Sequence, residues 1–561
     1  MTTRGILFGA GLSLPAGLPL ANHVIAAVLH DLGCDQAEVQ SYLSSRVPFE
    51  LFMQTLRERT NIDPLLNVYA TGAPTFYHHA LAVFAKRGTF NTFVTTNFDT
   101  LLEQAFEMAG MREKMDFLIY REAESFRRIR WDSARPIIIK LHGSVEDTTR
   151  LGATLDKVAS RKSANSVARA VVPLFGGVRF KRLYIAGYSC SDVFDIVPTI
   201  NSIELQKTSV VFISHGHAKS GVPRWVLSPA LNAKFTNGAQ LTARTDAVLR
   251  RVGRKLSFPQ IAMPKKGAAD ASSLVAAVAV WNDQIQSDER KITRLYTLGR
   301  LKIHAHQFSD ALTIMTRANE QSIADGQLKW VAETHLNAGI CHYRMGEFSR
   351  AALAATRAIR TAKGIGYHRV HGNAAGNLGN AFYSLRRLAS ALRWQERAAA
   401  IAKGIAYKQL EANSYGNIGI IYEEWKQYDT AISFHRRASH LAQRIGDAIG
   451  TARHAGNIAL CLNRLSKFEE AKPFAQFAFD QSRLSGQRFL EAAALGELFR
   501  SEEYNDADLA YSYLERAIRV AEDVGDHIQA TKFHEWGEAL CAKRNWVDRR
   551  SHHRSRLPHI D

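Results

Sequence analysis

The stretch GILFGAGLSLPAGLP, residues 5–19, changes character within a few positions. Gly5 to Phe8 is a short apolar run. Gly9-Ala10-Gly11 breaks it, and a helical-looking segment follows from Leu12 onward. An apolar run that ends in glycines ahead of a helix reads as a strand, a tight turn and a helix. Backbone N–H groups in such a turn, with the helix N-terminus behind them, suit a phosphate, and Ser13 adds a hydroxyl donor. The spacing is not GxGxxG, because Gly17 comes six residues after Gly11. No GxxxxGK[ST] loop occurs in the chain, which disfavours ATP hydrolysis.

Four more runs of the same kind follow: FNTFVTTN (90–97), PIIIKLHG (136–143), RLYIAGYS (182–189) and SVVFISHG (209–216). They are nearly continuous rather than alternating, as expected of strands buried on both faces. Amphipathic stretches such as NHVIAAVLHDLG and DTLLEQAFEMAG lie between them. Strands alternating with helices predict an α/β domain, a Rossmann-like, doubly wound parallel sheet, over residues 1–265.

Each run ends in small or hydrogen-bonding residues: Gly9-Ala10-Gly11, Thr95-Thr96-Asn97, His142-Gly143-Ser144, Gly187-Tyr188-Ser189 and Ser214-His215. Open α/β sheets bind ligands outside the carboxyl ends of their strands, so the five ends should share one crevice. His142 at the sheet mouth suits a general base near neutral pH. Asn97 suits an amide or a ribose hydroxyl. Asp99 and Asp192 suit either a ligand or a helix cap. His78 and His79, in a helix with Leu81, Val83 and Phe84, read as structural.

The second half repeats itself. Asn337, Asn377, Asn417 and Asn457 are spaced by forty residues. So are Ala311, Ala351, Ala391, Ala431 and Ala471, and likewise Ala318, Ala358, Ala398, Ala438 and Ala478. Gly299, Gly339, Gly379 and Gly419 hold a third small position, and Gly326, Gly366, Gly446, Gly486 and Gly525 punctuate the units. One small residue on each of two antiparallel helices lets them approach closely. The pattern resembles the tetratricopeptide repeat, lengthened from the usual ~34 residues, and predicts about six units of an all-α solenoid over 290–545. Residues 266–289 read as a linker, HEWGEALCAKRNW as a capping helix and 546–561 as a basic, disordered tail. Such an array suits recognition of a partner or ligand rather than chemistry.

The chain has 72 Lys and Arg against 53 Asp and Glu, a formal charge of +19. The excess is spread over both halves, and its densest block, Lys219–Lys266, has no interleaved aromatic series, so a nucleic-acid groove is not favoured. The five cysteines form no CxxC pair, which argues against a disulfide framework and a zinc ribbon. No apolar run is long enough for a membrane helix and the first residues lack a signal-peptide pattern, so a cytoplasmic protein is expected.

FGAGLSLPAGLP, VTTNFDTLLEQAF, IIIKLHGS and IAGYSCSD, taken together and in this order, resemble the sirtuin superfamily in its divergent bacterial branch. The resemblance implies NAD contacts from Gly9, Ala10, Gly11, Ser13, Thr96, Asp99, Gly187 and Ser189, and catalytic roles for Asn97 and His142. It also marks departures. Two CxxC pairs for a structural zinc are missing, and Leu20-Ala21-Asn22 stands where deacylases of the family have Asp-Phe-Arg. The zinc-less, repeat-fused form resembles bacterial anti-phage effectors that hydrolyse NAD to nicotinamide and ADP-ribose without a metal. This implies NAD as substrate, abortive infection as the outcome, a homo-oligomer, and a phage protein or other trigger at the repeats. A protein deacylase or ADP-ribosyltransferase of the same fold, and a nucleotide-sensing scaffold without turnover, are the alternatives.

Overall fold

The computed structural model describes residues 3–158, 161–176, 179–188, 196–203, 208–214, 239–242, 244–258, 271–285 and 289–557. The chain divides into two compact units, Met1–Gln307 and Phe308–Asp561. The helix Arg290–His304, expected to open the repeats, packs within the first unit: Arg294 pairs with Asp31 and Arg300 with Glu58.

The first unit is built on seven parallel strands: β1 (Thr3–Phe8), β2 (Thr92–Thr95), β3 (Leu118–Tyr120), β4 (Ile137–Lys140), β5 (Phe180–Ala186), β6 (Ser209–Ser214) and β7 (Ala239–Thr242). Their order is β3-β4-β2-β1-β5-β6-β7. Alternate residues of each central strand feed two separate cores. Ile6, Phe8, Phe93, Ile138, Tyr184 and Ala186 pack on one face with the helix Phe76–Lys86. Leu7, Val94, Ile137, Ile139, Leu183 and Ile185 pack on the other with the helix Arg161–Phe175. Burial on both faces explains why the runs are continuous in sequence. The five expected strands are present; β3 and β7 add one short strand to each edge.

β1 pairs with β2 on one side and with β5 on the other, so the strand order reverses there. In open α/β sheets such a reversal forms a crevice at the carboxyl ends of the strands, and ligands bind there.

In the second unit, helices of 17 residues start every twenty residues from Phe308–Ala324 to Phe468–Leu484. The alanines at the forty-residue spacing are buried between them. Left-handed residues end the helices at Gly326, Gly346, Gly366, Arg386, Ala406, Lys426, Gly446, Ser466 and Gly486. One sequence expectation fails here. The tail expected to be disordered forms the helix Val547–Arg554. Its anchor is His553, buried with its Nδ1 3.0 Å from His534 Nδ1 and its Nε2 3.2 Å from the Tyr511 hydroxyl. Gly537 makes room, since a Cβ there would stand 2.6 Å from the His553 ring.

Among the described residues, no helix is long and apolar enough to cross a membrane. Cys34, Cys341, Cys461 and Cys541 are free, buried thiols, and Cys190 lies outside the described residues.

Candidate functional site

The turn after β1 is held by β5 rather than left open for a ligand. The Gly9 N–H donates to the Ala186 carbonyl at 3.1 Å, and the Gly11 N–H to the Gly187 carbonyl at 2.9 Å. A Cβ on Gly9 would lie 2.7 Å from the Gly187 oxygen, and one on Gly11 2.9 Å from the Gly187 Cα. Gly187 itself has φ +62°, and a Cβ there would lie 2.6 Å from the Leu12 nitrogen. These three glycines let two backbones touch at the strand reversal. Two of the N–H groups expected to cradle a phosphate are therefore engaged within the protein. The Ala10 N–H has no partner among the described residues.

The expected helix directly after the turn is also replaced. Two single 3-10 turns, Ala10–Leu12 and Leu14–Ala16, come first, and the helix Ala21–Asp31 begins only after Gly17 at φ 88°. This detour places Ser13 in the crevice, buried.

Ser13 and Asn97 meet there although 84 residues separate them in sequence. Asn97 Nδ2 donates to Ser13 Oγ at 2.9 Å. Asn97 stands just past β2, its own N–H bonded to Thr95 Oγ1 at 3.0 Å. The Thr96 N–H bonds to the Phe8 carbonyl at 3.2 Å, tying the same segment to β1. Asn97 is buried, and its Oδ1 has no partner. A buried amide oxygen without a hydrogen bond costs about 1–3 kcal/mol, and a ligand donor or a water would relieve it.

A third member, His78, reads from sequence as structural only. His78 Nε2 lies 3.3 Å from Ser13 Oγ. The Thr75 N–H donates to His78 Nδ1 at 3.1 Å, so Nδ1 presents its lone pair. Burial holds His78 well below its ordinary value, at about 4, against the pull of the nearby Asp99 carboxylate. The neutral ring then carries its proton on Nε2 and donates it to Ser13. With both lone pairs of Ser13 Oγ accepting, from His78 and from Asn97, its hydroxyl hydrogen is left to donate elsewhere. The signal in sequence was Thr75 three residues before His78, a capping-box spacing at the start of Phe76–Lys86.

His142 follows β4 and is buried, its ring 6.4 Å from that of Phe98, the residue after Asn97. The Phe98 carbonyl accepts from the Val145 N–H at 2.9 Å. Lys140, fully buried at the end of β4, donates to the carbonyls of Phe98 and Asp99, to Glu103 Oε1 at 2.9 Å and to Ser144 Oγ at 3.1 Å. Burial pushes the Glu103 carboxyl above its ordinary range, and Lys140 opposes that shift. Lys140 thus fastens the 97–99 segment to the strand that carries His142. Asp99 Oδ1 accepts from the Leu101 N–H at 3.1 Å, the capping role, at the start of the helix Leu101–Met108.

Ser13 and Asn97 are brought into direct contact, and Gly9, Gly11 and Gly187 form the floor beside them. Phe98 and Lys140 link that group to His142. Ser189 and Asp192 lie outside the described residues, as does most of the Lys219–Lys266 block.

Comparison with known proteins agrees with both units. Residues 91–216 match the SIR2-like domain family, and residues 370–444 and 411–480 match the tetratricopeptide repeat. The chain carries a SIR2-like domain followed by tetratricopeptide repeats. No curated protein matches it. Similar solved structures include a Signal Transduction ATPase with Numerous Domains protein with a tetratricopeptide repeat sensor from Pyrococcus horikoshii, 12% identical, TM-score 0.41, covering 49% of this chain and 42% of its own. The quorum sensor NprR from B. thuringiensis is 16% identical over 50% of this chain and 80% of its own, TM-score 0.39. Aspartyl phosphate phosphatase F from Bacillus subtilis is 14% identical over 55% and 78%, TM-score 0.40.

Proposed function

We propose that the SIR2-like unit hydrolyses NAD to nicotinamide and ADP-ribose. The observation that carries this reading is the buried, unpartnered Asn97 Oδ1 beside the Ser13 hydroxyl, at the strand reversal of a SIR2-like sheet. One acceptor and one donor side by side suit a ribose hydroxyl, or a water placed next to the anomeric carbon. The nicotinamide ring leaves as a neutral molecule, because the bond to C1′ breaks toward a pyridinium nitrogen. The ribosyl cation left behind takes up water at C1′, and the water's proton passes to His142. Base assistance of this kind contributes about 10²–10⁴-fold. Gly9, Ala10, Gly11, Thr96, Asp99, Gly187 and Ser189 complete the NAD contacts in this reading.

The same proposal covers regulation. The repeat unit senses a trigger such as a phage protein, or mediates assembly into a homo-oligomer, and so releases an activity that would otherwise exhaust cellular NAD. The test is nicotinamide release by the full-length protein, with and without lysate from phage-infected cells. Asn97→Ala and His142→Ala should each reduce release by about 10²-fold or more. Unchanged release in both variants refutes the site. Release that needs an acylated peptide points to a deacylase, and tight NAD binding with no release points to a sensor.

A further inference from the structure

Among the described residues of the repeat unit, three metal-ligating groups meet at one place. Glu423 lies at the end of the helix Lys408–Glu424, His435 in the middle of Tyr428–Arg444 and Cys461 near the end of Ala448–Arg464. One donor atom from each lies within 4.8 Å of the other two. His435 Nε2 is 2.6 Å from Glu423 Oε1, and His435 and Cys461 are fully buried. The set does not recur with the repeat. Forty residues earlier the same positions are Tyr383, Gln395 and Ile421, and forty later Asn463, Ala475 and Ser501.

Room for the imidazoles is built into the helices. A Cβ on Gly419 would stand 2.5 Å from His435 Cε1, and one on Gly416 2.4 Å from His454 Cε1. The two rings stack with centroids 6.0 Å apart. His435 Nδ1 and His454 Nδ1 are both buried without a hydrogen-bond partner, so His435 is held in the cluster through Nε2.

We propose that Glu423, His435 and Cys461 bind one divalent cation of the zinc class. One carboxylate, one imidazole and one thiolate form a mixed O, N, S set that zinc accepts in tetrahedral geometry, with water in the fourth position. The carboxylate and thiolate neutralise the charge of the ion, so the buried site carries no net charge. Binding sends the Cys461 proton to solvent. Donors about 2.0–2.3 Å from zinc sit a little over 3 Å apart, so the His435–Glu423 pair opens and Cys461 closes in by adjustments of about 1 Å. The bound ion would clamp three successive helices of the sensing array. No CxxC spacing announces such a site, because the topology of the stack assembles it.

The test uses the full-length protein, stripped with a chelator and dialysed against Zn²⁺. Elemental analysis should find one more zinc per chain in the wild type than in Cys461→Ser or His435→Ala, while Cys341→Ser retains it. Co²⁺ in place of Zn²⁺ should give a thiolate-to-metal absorption band that disappears in Cys461→Ser. Should the variants lose helical circular dichroism, a chain retaining Cys461 as its sole cysteine decides: the cobalt band must appear there. Equal zinc content in wild type and folded variants, or no cobalt band in the Cys461-only chain, overturns the site and leaves a hydrogen-bonded cluster only.

Discussion

Ser13 illustrates how one side chain's chemistry is set by its neighbours. With His78 and Asn97 on its two lone pairs, its hydroxyl hydrogen is directed away from both of them. Ser13→Ala and His78→Ala should therefore be non-additive, coupled by about 0.5–3 kcal/mol in NAD binding or nicotinamide release. Additive losses would show that His78 serves only to cap its helix. His78→Gln, which keeps an N–H donor, should recover part of the loss. Protonation gives a separate check. The folded state holds His78 at about 4 against an ordinary 6.5, so the unfolded chain binds the extra proton between these values. Stability from this residue is full above about pH 6.5 and falls as pH drops toward 4, by at most roughly 3 kcal/mol. The His78→Gln variant should lose less stability than wild type over that window in denaturant titrations. Gly187 is the other sensitive position: a Cβ meets Leu12 and the left-handed backbone disfavours it, so Gly187→Ala should lower the denaturant midpoint by more than 1–2 kcal/mol's worth.

At the level of elements, Lys140 joins β4 to the helix Leu101–Met108 and to the loop between it and β2. Lys140→Met leaves Glu103 buried without its partner and should cost about 3–5 kcal/mol, while Lys140→Met with Glu103→Leu should cost less. Chemical denaturation of the three proteins checks the order. In the repeats, Ala406 ends its helix in the left-handed region and is exposed, so Ala406→Gly should stabilise the array by about 1 kcal/mol. These elements also show what sequence could and could not reveal. The five central strands were legible because burial on both faces makes them continuous apolar runs. β3 and β7, three and four residues long at the sheet edges, carry too little pattern to read. The glycine turn was legible as a turn, but its use was not: whether Gly9 and Gly11 face a phosphate or a neighbouring strand depends on β5, far along the chain. The repeats were legible because a forty-residue period is recorded at every small position. Their left-handed helix ends were only half legible, since Arg386, Ala406, Lys426 and Ser466 occupy a conformation that sequence assigns to glycine. The Ser13–Asn97 contact left no local trace, and His78 left only its capping spacing.

For the whole molecule, two compact units predict two unfolding events. If NAD occupies the first unit, NAD at about 100 times its Kd should raise that transition alone by about 2.7 kcal/mol. A shift of both transitions together would mean that the units unfold as one.

The short helix Val547–Arg554 has a further consequence. A stack of near-identical units presents the same apolar end to the next unit in line, and nothing in its geometry distinguishes a unit of its own chain from one of another. The helix sets His553 against Tyr511 and Gly537, lays Arg549 over the Tyr511 and Trp546 rings and leaves Asp548 and Arg554 exposed. It packs on that end of the stack through His553. Deleting residues 547–557 should convert a discrete species into head-to-tail filaments, visible as turbidity and by negative-stain microscopy.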